Sequence, residues 1–443
     1  MFLPLLLGLT ARADEPQDAL RLRFTLAELP DLVSPRPTWP TMDSSLSLAA
    51  GADQLAVYGI HRLFEAALPN QPSLRKGLGL ASVGALSGGL FLVHGWVHEE
   101  WHRAVLSRAD VASRNGLYHP EAWSNGLISV DHVSDEDLGR FKDAQPADYV
   151  RMSSVGMEAQ YALSQRINDA MFFGDRTGDH WGKVFLADTW MAPVLVANEL
   201  SVTLYDLQCA DPANDEVTAA ENELRTDVPS RDFTGLDCTA WVYDMRRPDE
   251  PYAARGEHPS GTGVDRYRSW SDLSAEEQRY LEDQVLFGLL NYVNPQLLGF
   301  TGLQLGDGLW TARLGQVAAP WGHRVDTVIG FRGPRLQGTV AFQSGLASAG
   351  WFPGLALGLV HHPLPAGLSL DAQADLWLQP AEQRWDAARR APGGRLRADL
   401  NLPLTPGFAV SPGIDAKSRG FVVGLPTVEP AVIGRLGIVA TVR

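Results

Sequence analysis

Cysteine and positive charge are the two things that this 443-residue chain has little of. The formal net charge is −15 at pH 7, which argues against nucleic acid or an anionic lipid surface as the main partner. The two cysteines are Cys209 and Cys238, and neither belongs to a CxxC pair, so together they make a poor zinc site. In an exported chain such a pair predicts one disulfide, with two free thiols as the alternative.

The N-terminus lacks the basic segment that usually opens a secretory leader, but its other features are typical of one. An apolar run over residues 2–9 is followed by Ala11-Arg12-Ala13, a small-residue cleavage site before Asp14. We therefore expect residues 1–13 to be a signal peptide and the mature chain to be exported to the periplasm or the outer membrane. A buried N-terminal segment is the alternative.

Length and patterning predict two domains of different class. Residues 14–40 show no clear period and are expected to form an extended lead-in. Residues 41–303 contain several stretches with helical spacing, and residues 304–443 change to a period of two. The predicted fold class is α+β, with a mainly helical domain followed by an antiparallel β domain.

The β region has apolar residues alternating with polar ones, as in Leu396, Ala398 and Leu400 against Arg397 and Asp399. About eight strands fit between its Gly/Pro/Asp turns. This pattern resembles a small outer-membrane β-barrel, and the resemblance implies membrane association through the C-terminal domain. The aromatic residues near the predicted strand ends would then form the girdles: Trp310, Trp321, Trp351, Phe352, Trp377, Trp385 and Phe408. A terminal aromatic is missing, and a soluble sheet packed against the helical domain is the alternative.

Residues 77–97 carry no formal charge and are long enough to span a bilayer as a helix. A central helix buried on all sides of the protein is the other interpretation, and we favour it. The stretch is rich in Gly and Ser, and a spanning helix and an outer-membrane barrel direct a protein to different membranes.

The motif His98-Glu99-Glu100-Trp101-His102 follows this stretch directly and reads HExxH. Residues four apart share one face of a helix, so both imidazoles can reach a single metal ion while Glu99 projects beside it. Such a pair suits Zn²⁺, which lowers the pKa of a bound water while a carboxylate takes its proton. The sequence therefore predicts that His98 and His102 are zinc ligands and that Glu99 is the general base.

The motif is similar to that of the zincin metallopeptidases. No third histidine follows in the metzincin spacing, so the resemblance is to the gluzincin branch, in which a glutamate on a second helix completes the site. Glu158, near the start of a predicted helix, is the favoured third ligand. Glu199, in an Asn-Glu-x-x-Ser segment, is the alternative.

Two further expectations concern the surroundings of the metal. His94 lies one turn before His98 and is expected to pack or to support a ligand rather than to bind zinc. A hydrogen-bond donor is needed for the oxyanion of the transition state. The sequence offers four candidates and does not choose among them: His180, Tyr205, His258 and Tyr267.

The resulting prediction is an exported zinc metallopeptidase that hydrolyses peptide bonds of a protein or peptide substrate. One alternative is a non-enzymatic outer-membrane or envelope β-barrel protein whose helical domain is a plug or adaptor. A second alternative is a membrane-embedded metalloprotease in which residues 77–97 span the bilayer.

Overall fold

The fold is described from a computed structural model. The described residues are 20–31, 36, 38–118, 129–174, 180–181, 184–186 and 190–442. The predicted signal peptide, residues 1–13, lies outside them.

The helical part of the described chain lies between residues 42 and 288. Its α-helices are α1 (Met42–Ala67), α2 (Pro72–Arg108), α3 (Asp135–Ala144), α4 (Pro146–Phe173), α5 (Ala192–Cys209), α6 (Asn214–Leu224), α7 (Asp237–Arg246) and α8 (Ala275–Gly288). The sequence itself predicts two of the helix starts, at Ser134 before three acidic residues and at the capping-box pattern Ser274-Ala275-Glu276-Glu277, and both are confirmed. The Ser134 hydroxyl accepts from the Asp137 amide, and Ser274 and Glu277 form a reciprocal capping box.

The strands of the described chain form one large antiparallel sheet and one small ribbon. They are β1 (Leu20–Leu29), β2 (Arg114–Asn115), β3 (Val130–Asp131), β4 (His180–Trp181), β5 (Val184–Leu186), β6 (Phe300–Leu305), β7 (Gly308–Ala319), β8 (Gly322–Arg332), β9 (Gln337–Ala347), β10 (Gly350–Pro363), β11 (Ser369–Pro380), β12 (Arg390–Thr405), β13 (Phe408–Lys417) and β14 (Ala431–Val442). The 12-stranded sheet has the order β1-β14-β13-β12-β11-β10-β9-β8-β7-β6-β5-β4, and β2 pairs with β3. The predicted α+β class is confirmed.

The sheet is larger than the predicted eight strands and takes in segments from outside the predicted β domain. Nine strands follow residue 299, and β4 and β5 come from the helical region. The supposedly extended lead-in contains β1, which pairs antiparallel with β14. The prediction missed β1 because its period of two in Leu20-Arg21-Leu22-Arg23 is short and a bulge after Thr25 interrupts it.

The polar face of the sheet points inward and its apolar face points outward. In β12, Arg395, Asp399 and Asn401 are buried, whereas Leu396 is 68% and Leu404 is 64% exposed. Helix α4 lies on the polar side. In α4, the Tyr161 hydroxyl donates to Asp326 of β8 at 2.5 Å.

The sheet curls around α4. A cavity of about 250 Å³ beside this helix is lined by residues of β7, β8, β9, β10, β11, β12 and β14. Residues of α1 line the same cavity, so α1 and α4 both lie on the concave side of the sheet. The alternation of side chains along each strand therefore sets polar residues toward the helices, the reverse of an ordinary soluble sheet.

A chain of packed helices connects β1, at one edge of the sheet, to the segment that precedes β6. Strand β1 packs on α1, α1 on α2, α2 on α5, and α5 on the short 3₁₀ turn Pro295–Leu298 that precedes β6. Helix α2 also packs on α4 inside. A wall of helices therefore runs from β1 to the start of β6, beside which the short strands β5 and β4 complete the sheet.

The prediction that residues 77–97 are buried on all sides is wrong. In the most apolar 18-residue window of α2 only 25% of the residues are buried. The buried positions form one stripe that includes Gly79, Val83, Ser87, His94 and Val97. By length and composition alone, α2 is the one described helix that could cross a membrane. The helix is packed on one side because α1, α4 and α5 cover only that stripe.

Three of the predicted girdle aromatics are wrong as well. Trp321, Phe352 and Trp377 are at most 5% exposed. The rings of Trp321 and Phe352 pack together with their centroids 5.9 Å apart. Phe352 points inward by its parity in β10, and Trp321 lies in the turn between β7 and β8. Trp310, Trp351 and Phe408 are at least 38% exposed and lie at the first few positions of β7, β10 and β13.

Candidate metal centre

The HExxH motif lies on the C-terminal third of α2, where the helix becomes buried. Trp101 in the middle of the motif is fully buried, and its indole N–H donates to the Met42 carbonyl of α1 at 3.0 Å. Glu100 is fully buried too and is held by Arg103 and by the Asn115 amide at 2.8 Å. These two residues fix the rotation of the helix, so His98 and His102 face α4 and α7.

The imidazoles of His98 and His102 converge on the carboxylate of Asp237. The Nε2 atoms lie 2.8 Å and 3.1 Å from the same Oδ2 atom of Asp237. One ligand atom from each of the three residues falls within 4.8 Å of the others, which fits a single ion between them. Two His nitrogens and one carboxylate oxygen are a donor set of the kind that catalytic zinc sites use.

Helix α4 approaches the two imidazoles closely at this point. A Cβ atom at Gly156 would collide with the Nε2 atoms of both His98 and His102. The absence of that Cβ lets the backbone of α4 approach the two nitrogens closely. The positions of the two imidazoles therefore depend on a glycine of the neighbouring helix.

The tautomer of His102 also suits a ligand. Its Nδ1 lies 2.6 Å from the Met152 carbonyl, which can only accept, so Nδ1 carries a proton. A neutral His102 then presents the Nε2 lone pair to an Asp237 oxygen, and two acceptors cannot face each other without a proton or a cation between them. Burial favours neutral His102, but the Asp237 carboxylate raises the pKa of the imidazole overall.

Asp237 responds to the histidines in the opposite direction. Burial alone would raise its pKa, but the positive charge and hydrogen bonds of His102 and His98 lower the pKa to about 2. The carboxylate is therefore ionised at neutral pH and carries the charge that a divalent cation needs. Its backbone N–H, in the first turn of α7, donates to the Tyr205 hydroxyl at 3.0 Å.

Glu99 lies beside this cluster in a crowded acidic surrounding. It is 9% exposed, and burial followed by the charges of Asp237 and Asp232 raises its pKa well above the usual value. A cation held by His98, His102 and Asp237 would offset these negative charges. The predicted general base is thus placed close to the carboxylate of the cluster.

Two aromatic rings line the histidines. The Tyr205 ring of α5 meets His98 edge-on with centroids 6.0 Å apart, and Phe233 lies 4.9 Å from the His102 ring. Of the four candidate donors, Tyr205 is the one with contacts to this cluster. His258 bonds Ser260 instead, Tyr267 lies against Gly235, and the side chain of His180 lies outside the described residues.

The disulfide ties the segments that supply Tyr205 and Asp237. Cys209 ends α5 and Cys238 follows Asp237 at the start of α7. The two cysteines lie at disulfide distance with Cα atoms 6.1 Å apart, so the predicted pairing is confirmed. One covalent link therefore holds the third member of the cluster next to α5.

Glu158 and Glu199, the two predicted third ligands, are engaged elsewhere. Glu158 is fully buried, accepts from Arg151 at 2.6 Å and 3.0 Å, and accepts from the Gly424 amide at 2.8 Å. Glu199 is 5% exposed and accepts from the Ser164 hydroxyl. The carboxylate that the structure brings to the histidine pair is that of Asp237.

His94 has a different partner from the metal cluster. Its Nε2 atom lies 3.2 Å from Asp53 of α1, and both side chains are almost completely buried. This contact agrees with the expected packing role and joins α1 to α2.

Sequence reasoning missed Asp237 because it lies 135 residues after His102 in a segment without helical or strand periodicity. One signal was present: Asp237 directly precedes a cysteine that was expected to form a disulfide. A residue next to a crosslink has a well-defined position even inside a polar, irregular segment.

Access to the cluster is narrow and lies on the His98 side. The His98 side chain is 12% exposed, whereas those of Asp237 and His102 are 5% and 1% exposed. A substrate group would therefore approach past His98 and Tyr205.

Comparison of the chain with protein families, with curated proteins and with solved structures finds no match.

Proposed function

We propose that the protein is a zinc-dependent hydrolase, and specifically a peptidase of zincin type. The observation that carries the proposal is the convergence of the His98 and His102 Nε2 atoms on one oxygen of Asp237. The two histidines are four residues apart on one helix, which also supplies Glu99. His98, His102 and Asp237 would hold the ion. Asp237 would take the place of the glutamate that the gluzincin resemblance implies. The fit rests on the donor set, since one ligand atom from each of the three residues lies within 4.8 Å of the others.

Each residue of the cluster has a definite role in this proposal. Bound zinc supplies a Lewis acid and lowers the pKa of a water molecule. Glu99 would act as the general base toward a water that attacks the carbonyl carbon, and would return the proton to the leaving amine. The proton must move through Glu99 because His98 and His102 use their Nε2 atoms as ligands.

Tyr205 is the residue that we assign to the oxyanion. Its hydroxyl accepts from the Asp237 N–H, so its own proton remains available to a carbonyl oxygen bound on the His98 side. A donor in this position stabilises charge that develops only in the transition state.

A structural metal site is the second candidate, and the burial of the cluster favours it. His102 and Asp237 are at most 5% exposed, and structural zinc sites are closed. In this second candidate function, the protein is a non-enzymatic envelope protein whose helices fill the concave side of the sheet. The two candidates share the ligands and differ in Glu99, which a structural site does not need.

The first experiment is metal analysis of the full-length wild type beside His98→Ala, Asp237→Asn and Glu99→Gln, with casein proteolysis run on the same samples. We expect zinc in the wild type and in Glu99→Gln, loss of zinc in His98→Ala and Asp237→Asn, and activity in the wild type alone. Glu199→Gln is the matched control for a buried carboxylate outside the cluster, and it should keep both zinc and activity.

The outcomes separate the candidates. A zinc-loaded wild type that cleaves no peptide and is destabilised by chelators would establish the structural site. A folded wild type that binds no zinc when it is offered would refute both versions. Loss of zinc in Glu199→Gln with retention in Asp237→Asn would assign the role of third ligand to Glu199 instead of Asp237.

A further inference from the structure

The outer face of the sheet exposes apolar side chains on every one of six neighbouring strands. Phe342, Leu357, Leu376, Leu396, Ile414 and Val432 come from β9 to β14 in turn, and each is at least 49% exposed. A soluble monomer rarely exposes one contiguous apolar patch larger than a few hundred Å². An apolar surface that extends over so many adjacent strands calls for an apolar environment.

The opposite face of the same strands is highly charged and buried. Asp375, Arg395, Asp399, Asp415 and Arg435 come from β11 to β14 and are at most 7% exposed. They pair with one another, with Arg395 bound to Asp415 in a bidentate contact. The distribution of polarity is thus the inverse of a water-soluble sheet, and it matches strands that face hydrocarbon on the outside.

Helices α2 and α5 continue this apolar surface where the strands end. On α5, Val196, Leu200, Leu204 and Leu207 form one exposed stripe. On α2, Leu78 and Leu92 are 44% and 48% exposed, and residues 77–97 carry no charge. Because α2 packs on α5 and α5 on the turn before β6, the stripe joins the sheet through the helical wall.

The dimensions of these elements fit a bilayer. Strands β7 to β14 have between 10 and 16 residues, and a tilted membrane-spanning strand needs about 9–11. The charges of α2 lie outside the uncharged segment, with Arg75 and Lys76 before it and Glu99 after it. Exposed Trp310 and Phe408 lie at one end of the strands and exposed Trp351 lies at the other, as interfacial aromatics do.

We propose that the outer face of β7–β14 and the exposed faces of α2 and α5 form one lipid-facing belt, so that a wall of helices completes a membrane-inserted sheet. The occupant is the hydrocarbon of a bilayer, because the apolar surface follows the curled sheet and the helical wall. A single protein partner would cover one side of such a curved surface and leave the other exposed. This inference is independent of the proposed hydrolase activity.

The belt also places the metal cluster. Helix α7, which starts at Asp237, lies at one end of the strands, where the Trp241 indole N–H donates to the Ala319 carbonyl of the β7–β8 turn at 3.0 Å. His98 and His102 follow the uncharged segment of α2 directly. The cluster therefore lies at the rim of the belt, at the height of the interface and not in the hydrocarbon.

The test uses nitroxide spin labels on the full-length protein in phosphatidylcholine vesicles. Single cysteines are introduced as Leu396→Cys on the sheet, Leu92→Cys on α2 and Glu276→Cys as the control on α8, whose native side chain is 79% exposed. Cys209 and Cys238 are paired and leave the introduced thiol as the labelled one. Collision of each label with oxygen, which concentrates in hydrocarbon, is compared with collision with a water-soluble nickel chelate.

We expect the labels at Leu396 and Leu92 to collide with oxygen and to be shielded from nickel, and the label at Glu276 to behave in the opposite way. The wild type, which carries no substitution, should also stay in the vesicles after carbonate extraction. Nickel access at Leu396 in the vesicles would overturn the proposal. So would a wild type that is monomeric without detergent, or labels shielded from both reagents in a dimer, since a second copy would then cover the face.

Discussion

At the scale of the residue, the centre depends on a few side chains whose neighbours determine what they can do. Nδ1 of His102 is occupied by the Met152 carbonyl, so only Nε2 can bind an ion. The backbone N–H of Asp237 donates to the Tyr205 hydroxyl, which anchors the start of α7 beside the histidines. The Asp237 carboxylate contacts the imidazoles of both histidines. Residues that touch no ion therefore decide the geometry of those that would, as is usual around metal sites.

Gly156 gives the sharpest prediction at this scale. In Gly156→Ala the new Cβ would meet the Nε2 atoms of both histidines, so the rings must move apart from Asp237. We expect zinc affinity to fall by at least about tenfold, the size of effect seen when groups around a metal site are changed. Competition with a chromogenic chelator measures it.

Gly95→Ala is the matched control for that substitution. Gly95 is on α2, one turn before His98, and a Cβ there would meet nothing within 4 Å. It should leave zinc affinity unchanged. Equal affinity in Gly156→Ala and wild type would show that the ion does not lie between the two nitrogens.

At the scale of the element, the disulfide connects the end of α5 to the start of α7 over a sequence separation of 29 residues. The segment between them carries α6 and an irregular, charged stretch, which offers little regular packing of its own. Asp237 is next to one cysteine and Tyr205 lies one turn before the other. The crosslink thus positions two elements that the hydrophobic core alone would hold less tightly.

The double substitution Cys209→Ser, Cys238→Ser should therefore affect both stability and metal binding. Loss of a crosslink closing a loop of this length costs about 3 kcal/mol of unfolding free energy, through the greater freedom of the unfolded chain. Zinc affinity should fall too, because Asp237 loses its fixed position. Urea unfolding with and without a chelator measures both effects.

The wild type treated with a thiol reductant is the control for the serine side chains. It should match the double variant in stability and in zinc affinity. Reduced protein that binds zinc as tightly as oxidised protein would show that α7 is held in place without the disulfide.

At the scale of the whole molecule, charged side chains hold the helical layer inside the curled sheet. Arg435 of β14 contacts Glu28 of β1 at 3.2 Å and Asp43 of α1, and its side chain is 3% exposed. Removal of one member of a buried ion pair leaves the charge of the other member uncompensated. Arg435 therefore joins two strands and one helix.

Arg435→Met keeps an unbranched apolar stem and removes the guanidinium with its charge. Glu28 and Asp43 would remain buried beside each other, and we expect a loss of about 3–5 kcal/mol in unfolding free energy. Denaturant unfolding of the full chain measures this loss. Arg389→Met is the control, because Arg389 is 78% exposed and pairs with Glu382 at the surface, where such a pair contributes little. Equal losses in the two variants would contradict the role of Arg435.

The limits of sequence reasoning are clearest in α2 and in the metal cluster. The uncharged segment 77–97 predicted either burial or a membrane span, and a spanning helix was set against a barrel as though they excluded each other. In the fold α2 and the sheet belong to one packed unit, because α2 lies in the row of helices that runs from β1 to the turn before β6. Periodicity describes one segment and carries no information about which neighbour covers it.

Local spacing within the sequence was sufficient for the HExxH pair, the period-two alternation of β11 to β14, two helix caps and the cysteine pair. The first three follow from contacts within a few residues, and the cysteine pairing was predicted from the even number of cysteines on the expectation of export. The choice of Asp237 over Glu158, the pairing of β1 with β14 and the inward direction of the charged face came only from the tertiary structure. They join residues more than a hundred positions apart, and such contacts are decided by how the elements pack together.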